Sequence, residues 1–281
     1  MKQRRINREE LERFAAELHR WERAKGTVKK YCRDIADFVS WLDGRPVTAE
    51  AGAAWKACLL DRGLSPVTVN SKLSALNSFF RFMGWTDCHI KCLRIQRKVF
   101  RDQDRQLDRT EYRRLVETAK ARGQKRLALL LETICATGIR VSEVRYITVE
   151  AARSGRADVA LKGKIRTVLL QGRLCRKLLK YARKQNIAFG EIFLTKSEKS
   201  LSRRQIWREM KGLCKQAGVA PSKVFPHNLR HLFATVFYHA SRDIVKLADL
   251  LGHSSVNTTR IYLQTSGREH VRQLERLNLV T

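Results

Sequence analysis

Two histidines and an arginine stand within five residues at the start of a predicted helix. In FPHNLRHLFAT (225–235), the proline suits a first helical turn, and His227, Arg230 and His231 follow at i, i+3 and i+4 on one face. Backbone amides and the helix dipole already favour an anion at that end. The cluster is therefore a candidate phosphate site, although a solvated basic turn explains it equally well.

An arginine in a chain corner forms the second candidate. In ATGIRVSEV (136–144), an apolar helix is predicted to end at Gly138, and Arg140 follows in the corner before the next helix. A buried guanidinium is costly unless it is paired, and Glu143 could orient it. The alternative is an ordinary Arg140–Glu143 pair at the surface.

The third segment ends in a tyrosine. In LLGHSSVNTTRIY (250–262), Gly252 is predicted to stop a helix and His253 to lie in the turn that follows. Tyr262 comes nine residues after His253. A phenol can act as a nucleophile, but a lone tyrosine at a helix end is usually a packing residue. Alone, none of the three segments identifies a reaction.

In chain order, Arg140, His227-x-x-Arg230, His253 and Tyr262 resemble the catalytic signature of the tyrosine recombinase (lambda-integrase-like) superfamily. TGIRVSEV, HNLRH and LGHSSVNTTRIY are similar to the three catalytic boxes of that family. Two earlier segments, TVKKYCRDIADFVSWL and SPVTVNSKLSALNSFFRFM, resemble its helical core-binding domain. The resemblance covers nearly the whole chain. It is closest to the compact two-domain Xer-like or Cre-like form, without an extra N-terminal arm-binding domain.

The resemblance implies a covalent mechanism for breaking and rejoining DNA. Tyr262 would attack the phosphorus and form a 3′-phosphotyrosine, with His227 as the general base because imidazole titrates near neutrality. Arg140 and Arg230 would bind the non-bridging oxygens through planar, permanently charged forks, and His253 would add a hydrogen bond. With this much fixed positive charge at the phosphate, no metal or other cofactor is expected.

In the family, a lysine on a β-hairpin protonates the departing 5′ oxygen. The candidates in this sequence are Lys162 and Lys164 in LKGKIRT. Alignment of the RTVLL segment with the family's hairpin favours Lys162. The turn is one residue shorter than in common family members, however, so both lysines stay open. Glu143 and His231 are expected to support the site rather than to react.

The elements that must position these residues form two predicted domains. Residues 1–94 show four amphipathic helices and predict a helical, SAM-like core-binding domain, and residues 95–107 lack apolar periodicity and predict a linker. Residues 108–281 predict an α+β catalytic domain, because ADVALKGKIRTVLL (157–170) alternates like a hairpin among helices. The predicted fold class is therefore mainly α with a small β-hairpin or sheet in the C-terminal domain.

Six helices are predicted beyond the hairpin, at 173–184, 202–216, 226–240, 242–251, 255–263 and 268–277. The last of them shows an apolar face, and in the family such a tail often docks onto a neighbouring protomer. Docking within the same chain is the alternative, and both stay open.

The charge balance indicates a polyanionic partner. The 281 residues include 57 Lys and Arg against 27 Asp and Glu, a net charge of +30, and the excess lies on both sides of residue 98. A folded chain that is basic throughout predicts nucleic acid as its partner. Direct DNA contacts are predicted for Lys72 and Asn77 on the fourth helix and for Arg97 and Lys98 in the linker.

The resemblance implies that this partner is double-stranded DNA with an inverted-repeat core site. It also implies self-assembly to a dimer or tetramer on DNA and leaves room for an accessory DNA-bending or directionality protein. No run of 18 apolar residues occurs, so no membrane partner is expected, and the expected location is cytoplasmic and nucleoid-associated. The seven scattered cysteines indicate reduced thiols, and CHIKC lacks the second ligand pair of a metal site.

The resulting hypothesis is a site-specific DNA recombinase or integrase that acts through a Holliday junction. Its biological task would be integration and excision of a mobile element or resolution of DNA dimers. One alternative is a non-catalytic DNA-binding relative with an accessory or regulatory role, and another is a topoisomerase-like nicking enzyme. Because every catalytic position holds a competent residue, the sequence favours the recombinase.

Overall fold

The computed structural model describes residues 4–95, 105–161, 164–262 and 275. The chain divides into two compact units, Met1–Arg97 and Lys98–Thr281, called the N-terminal unit and the C-terminal unit below. The described residues are mostly helical and include one antiparallel pair of strands. This confirms the predicted fold class. No described helix is both long enough and apolar enough to cross a lipid bilayer.

Four helices build the N-terminal unit, and polar side chains cap three of them. Asn7 forms a reciprocal capping box with Glu10, in which the Asn7 side chain accepts from the Glu10 amide at 2.8 Å. Thr48 caps the third helix, and Ser65 caps the fourth. The helices are α1 (Arg8–Arg20), α2 (Lys25–Leu42), α3 (Ala49–Asp61) and α4 (Pro66–Phe82), and a short 3-10 turn follows at Thr86–Cys88.

Aromatic side chains fill the core between these helices. Phe14 of α1 meets Phe79 of α4 edge-on, with ring centroids 5.3 Å apart, and Phe38 of α2 contacts Trp55 of α3 at 5.9 Å. All four rings are fully buried. Since rings of this size bury large apolar areas, they contribute much of the stability of so small a unit.

Two asparagines on α4 hold the segment that follows the 3-10 turn. The Asn77 amide group donates to the Ile90 carbonyl at 2.8 Å and accepts from the Ile90 amide at 2.9 Å. Asn70, two helical turns earlier, pairs in the same way with Leu93, at 2.8 Å in both directions. Asn77 is buried, and its side chain completes the backbone hydrogen bonding of Ile90. The contact of Asn77 with a DNA base stays a prediction, although both ends of its amide are occupied by Ile90.

One central helix, α6, organises the C-terminal unit. The helices are α5 (Arg109–Ala121), α6 (Lys125–Thr137), α7 (Val149–Ser154), α8 (Gly172–Lys184), α9 (Arg203–Lys211), α10 (Cys214–Ala217), α11 (Pro226–Ser241), α12 (Ile244–Leu251) and α13 (Val256–Thr259), and the strands are β1 (Arg156–Leu161) and β2 (Lys164–Leu169). Most apolar residues of α6 are buried, and it packs against α5, α8 and α11. The end of α6 is therefore a firmly held point from which the chain can present a side chain.

Several predicted helices differ from the structure. The predicted helix 202–216 is divided into α9 and α10 near Gly212, a residue type that weakens helices. The predicted helix 255–263 is a single turn, α13, followed by a 3-10 turn at Arg260–Tyr262. The segment after Arg140 is also 3-10, at Val141–Tyr146. The predicted helix 268–277 lies outside the described residues, apart from position 275.

The hairpin register places the charged Arg166 on the buried face of the hairpin. β1 and β2 are antiparallel, with Ala157 opposite Val168 and Val159 opposite Arg166. Directly opposed residues share a face of the sheet. Because Ala157, Val159 and Val168 are all buried, Arg166 lies on the inward face, where an apolar residue is the usual occupant.

Candidate active site

The end of α6 turns the chain into a corner that presents Arg140. Gly138 has a left-handed backbone (φ +63°), and a Cβ there would lie 2.4 Å from the Phe233 ring, so this position requires glycine. Arg140 donates from its backbone amide and from Nη1 to the Glu143 carboxylate, at 3.0 and 2.9 Å. The pairing that ATGIRVSEV suggested is therefore present, and its acid is buried.

Glu143 also binds a second arginine, which the sequence analysis missed. Arg166 of β2 donates from Nη2 to Glu143 Oε2 at 2.6 Å and from Nη1 to the Leu250 carbonyl at 2.9 Å. Burial alone would raise the pKa of Glu143, but the hydrogen bonds from Arg166 and Arg140 outweigh it and hold that pKa below its usual value. Glu143 is therefore a carboxylate at neutral pH, shared by two guanidinium groups.

Arg230 lies in the first turns of α11 and is almost fully buried. Its guanidinium donates to the carbonyls of Gly138 and Leu251, the latter at 2.7 Å. Burial, with a smaller effect from the charge of Arg140, lowers the pKa of Arg230 to about 10. It still carries its charge at neutral pH, and backbone dipoles hold it in place.

His253 follows α12 and is held at both ring nitrogens. Nε2 lies 3.0 Å from Arg230 Nη2, and Nδ1 lies 2.9 Å from the hydroxyl of the buried Thr259. Because a guanidinium can only donate, Nε2 must accept, so the proton is on Nδ1 and is donated to Thr259. Burial and the neighbouring arginines, of which Arg230 acts most strongly, lower the pKa of His253 to about 4. The imidazole is therefore neutral at physiological pH.

Tyr262 is buried among three histidine rings. Its ring centroid lies 5.9 Å from that of His253, in a stacked arrangement, 5.1 Å from that of His231 and 6.3 Å from that of His227. Its hydroxyl also lies near Arg230 and raises the pKa of that guanidinium, against the larger lowering by burial. The structure thus brings Tyr262 to the same place as His253 of its own motif and the residues of HNLRH.

The two histidines of HNLRH differ in their surroundings. His231 is buried, its ring is the nearer one to Tyr262, and its Nδ1 lies 3.4 Å from the Thr235 hydroxyl. His227 is exposed at the start of α11. An exposed imidazole can exchange protons with solvent, whereas a buried one is better suited to holding a neighbouring ring.

The remaining predicted residues lie elsewhere or outside the described residues. Lys162, Arg97 and Lys98 fall outside them, and of Lys164 only its place as the first residue of β2 is described. The ammonium of Lys72 lies 2.5 Å from Asp37 and 3.5 Å from Asp34 in the N-terminal unit. Lys72 is thus already ion-paired.

One further arginine faces the site. A cavity beside β2 is lined by Arg140, Glu143, Arg166 and His253, and also by Arg203, the first residue of α9. The sequence signal for Arg203 is the same as for HNLRH. A cation directly after the Ser202 N-cap opposes the helix dipole, which makes sense if an anion binds there.

The site therefore combines several fixed cations with one carboxylate. The guanidinium groups of Arg140, Arg166 and Arg230 surround a region that contains a neutral imidazole and a phenol. Charged planar donors in a partly dry pocket suit a tetrahedral oxyanion such as a phosphodiester. The phenol beside them is a possible nucleophile toward that anion.

Profiles of two known families match this sequence. The Phage integrase family matches residues 105–269, and the Phage integrase N-terminal SAM-like domain matches residues 4–86. The first range contains every catalytic candidate described above.

Full-length relatives are similar along most of the chain. Tyrosine recombinase XerA of Pyrococcus furiosus is 29% identical over an alignment that covers 100% of this chain and 98% of XerA. Tyrosine recombinase XerD of Brucella suis is 32% identical, with 85% of this chain and 86% of XerD covered.

Solved structures share the fold. XerH site-specific recombinase bound to palindromic difH substrate aligns with a TM-score of 0.72 and 19% identity, covering 90% of this chain and 79% of XerH. A lambda integrase (75–356) dimer bound to a COC′ core site also aligns with a TM-score of 0.72, at 17% identity, covering 91% and 94%.

Proposed function

This chain belongs to the phage integrase family of tyrosine recombinases, and we propose that it cuts and rejoins DNA strands with Tyr262 as the nucleophile. It is a tyrosine-type site-specific recombinase, which excludes the non-catalytic alternative. The observation that carries the residue assignment is the convergence on one site of Arg140, of Arg230, and of His253 with Tyr262, which come from three separate motifs.

Arg140 and Arg230 are the proposed clamps for the non-bridging phosphate oxygens. Arg140 is fixed by Glu143 with part of its guanidinium still accessible, and Arg230 is held by backbone carbonyls that carry no full charge. Neither arrangement neutralises the cation fully, so both retain attraction for an anion. Preorganised donors of this kind typically contribute about 3 kcal/mol each to transition-state stabilisation.

The proposed reaction conserves the number of phosphoester bonds. Tyr262 Oη attacks the phosphorus, the bond from phosphorus to the 5′ oxygen breaks, and a 3′-phosphotyrosine forms. His227 accepts the phenol proton, while Lys162 or Lys164 protonates the departing 5′ oxygen. His231, buried against the tyrosine ring, is proposed to hold that ring in place. In the second half, a 5′ hydroxyl from another strand attacks the phosphotyrosine and releases Tyr262, so no nucleotide cofactor is consumed.

The proposed substrate is double-stranded DNA with inverted repeats around the cleavage position. A dimer or tetramer of this chain would bind it, form a Holliday junction and work with an accessory DNA-bending or directionality protein. The shared fold of recombinases solved on a palindromic site and on a core site supports this proposal. The biological task would be integration and excision of a mobile element or resolution of DNA dimers, at a cytoplasmic, nucleoid-associated location.

The two domains would have separate roles in DNA binding and in catalysis. We propose residues 1–94 as the core-binding domain, 95–107 as the linker and 108–281 as the catalytic domain. Arg97 and Lys98 remain proposed DNA contacts. Lys72 does as well, although its acidic neighbours must share its ammonium with any phosphate. Because many cations would contact phosphates, DNA affinity should fall steeply with salt.

Replacement of Tyr262 tests the proposed nucleophile. Binding sites are selected from random-sequence DNA with the Tyr262→Phe protein, which keeps the ring but lacks the hydroxyl. They are then rebuilt as duplexes nicked near the centre, so that cleavage traps the protein on DNA. The wild-type protein should form a denaturant-stable adduct at Tyr262 and leave a free 5′ hydroxyl, and Tyr262→Phe should form none.

Tyr238→Phe provides the matched control, because Tyr238 packs against the same small cluster as Tyr262. It should keep adduct formation near the wild-type level. Absence of a wild-type adduct, or an adduct attached to another residue, would overturn the proposal.

A further inference from the structure

We propose that Arg166 is a positioning residue of this site, which keeps Arg140 free for the phosphate and fixes the turn that carries His253. The inference rests on the proposed function and concerns the same pocket. Arg166 lies on β2, separate from the motifs that resemble the family's catalytic boxes.

The hairpin register brings Arg166 to the site. Because Arg166 is directly opposite the buried Val159, its side chain points inward, and only 13% of it is exposed. An inward guanidinium on a two-stranded sheet is costly unless its donors are used. Two of them are, at Glu143 and at the Leu250 carbonyl. These partners lie on two other segments of the unit, while the buried Nε has no hydrogen-bond partner among the described residues.

The contact with Glu143 divides the carboxylate between two arginines. Oε1 accepts from Arg140 Nη1, while Oε2 accepts from the Arg140 backbone amide and from Arg166 Nη2. If Arg166 were absent, Oε2 would be open to a second nitrogen of Arg140, and a bidentate pair would form. Such a pair is the preferred geometry of arginine with a carboxylate. It would turn the fork of Arg140 toward Glu143 and weaken its hold on phosphate.

The contact with the Leu250 carbonyl fixes the opposite wall. The turn at the end of α12 supplies the Leu251 carbonyl to Arg230 and carries His253 two residues later. Gly252 in that turn has a left-handed backbone (φ +61°), and a Cβ there would lie 2.3 Å from Arg166 Cδ. The arginine stem therefore packs directly on the turn. One side chain links β2, the Arg140 corner and the His253 turn.

Arg166→Met tests the inference, with Arg156→Met as the matched control. Arg156 is an exposed arginine on the partner strand, so the same substitution there removes a charge without a buried contact. On nicked duplexes at saturating protein, Arg166→Met should form the adduct about 100-fold more slowly than wild type, because a small misplacement of catalytic groups has that scale of effect. Its DNA affinity, and the rate of Arg156→Met, should stay near wild type.

A double-substitution cycle with Glu143→Gln separates positioning from direct contact. If Arg166 acts through Glu143, Arg166→Met should slow the reaction by less than about tenfold once the carboxylate is absent. An equal factor in both backgrounds would overturn the inference, since it would show that Arg166 does not act through the carboxylate that orients Arg140. If Arg166→Met does not fold, Arg166→Lys, which keeps the charge and the apolar stem, enters the same cycle. If the wild-type protein forms the adduct and Arg166→Met forms it at the same rate, this inference is rejected and the proposed function stands. If the wild-type protein forms no adduct, the proposed function is rejected.

Discussion

In each unit, an almost fully buried acid pairs with several cations, and these two acids are compensated differently. In the N-terminal unit, the side chain of Asp34 is 2% exposed and pairs with Lys30 at 2.5 Å, Arg33 at 3.3 Å and Lys72 at 3.5 Å. In the C-terminal unit, the side chain of Glu143 is 3% exposed and pairs with Arg140 and Arg166. Both acids are alike in burial, and each pairs with more than one cation, Asp34 with three and Glu143 with two.

The difference lies in what surrounds each cluster. Near Asp34, Lys72 has a second carboxylate, Asp37, at 2.5 Å, so acids and bases are nearly balanced. Near Glu143, Arg230 adds a further buried cation that is held by backbone carbonyls. A cluster whose charges nearly cancel can hold helices together, whereas a cluster with a fixed excess of positive charge attracts an anion. The comparison teaches that uncompensated charge, rather than burial, marks the reactive site.

Arg230→Lys should have the largest effect and tests the unbalanced cluster directly. An ammonium cannot reach the Gly138 carbonyl, the Leu251 carbonyl and a phosphate at once, because it lacks the planar fork. We expect adduct formation on nicked DNA to slow by at least about 100-fold, the usual consequence of losing a preorganised oxyanion donor. DNA affinity, measured by fluorescence anisotropy, should be retained.

Arg242→Lys is the control for this change, because Arg242 follows the far end of α11 and is exposed. It should cleave like wild type. Normal cleavage by Arg230→Lys would contradict both the pocket described here and the distinction between the two clusters.

Asp34→Asn tests the balanced cluster and should affect stability without affecting chemistry. The isosteric amide leaves Lys30 and Arg33 without a counter-charge, so the free energy of unfolding should fall by about 2 kcal/mol. Four of the five tryptophans, at positions 21, 41, 55 and 85, lie in the N-terminal unit, so urea unfolding followed by tryptophan fluorescence reports mainly on it. The adduct rate at saturating protein should not change.

Asp37→Asn is the matched substitution one turn away. Its carboxylate is 47% exposed, so its loss should cost less than about 1 kcal/mol. A slower adduct rate for Asp34→Asn at saturation would mean that the N-terminal cluster also serves the reaction.

The sequence predicted those parts of the site whose interacting residues lie close together in the chain. Gly138, Arg140 and Glu143 form a helix end, a corner and a pair within six residues, and HNLRH is a single helical turn. The helix starts of the N-terminal unit were also predictable, because Asn7, Ser65 and their partners lie within one turn of each other.

Features that depend on distant segments could not be predicted in this way. On β2, the apolar Ile165 and Leu169 are 82% and 63% exposed, while the charged Arg166 faces inward, so residue polarity alone does not identify the inward face of this strand. The contact of Asn77 with Ile90 was not predictable, because spacing within α4 does not reveal that Ile90 folds back onto it. The single-turn α13 ends at Thr259, whose contact with His253 is also not predictable from the helical pattern.

The protonation of His253 should have the smallest effect on stability of the changes considered. It is also the most sensitive test of the excess positive charge around this ring. Its pKa of about 4 lies below the ordinary value near 6.5 because of burial and of the adjacent arginines. Between those values the unfolded chain binds a proton that the folded chain does not, so stability should fall as pH falls from 6.5 toward 4. Since the ring is only half-buried, the loss between pH 7 and pH 5 should be about 1 kcal/mol or less.

Two measurements check this expectation. In an NMR titration, the ring signals of His253 should keep the neutral Nδ1–H form down to about pH 5, as its bonds to Arg230 and Thr259 require. In urea unfolding at pH 7 and pH 5, His253→Gln should lose less stability than wild type, because it has no proton to bind. Titration of His253 near 6.5 would show that the arginines around it are better neutralised than their contacts indicate. The contrast with the Asp34 cluster would then be one of geometry rather than of charge.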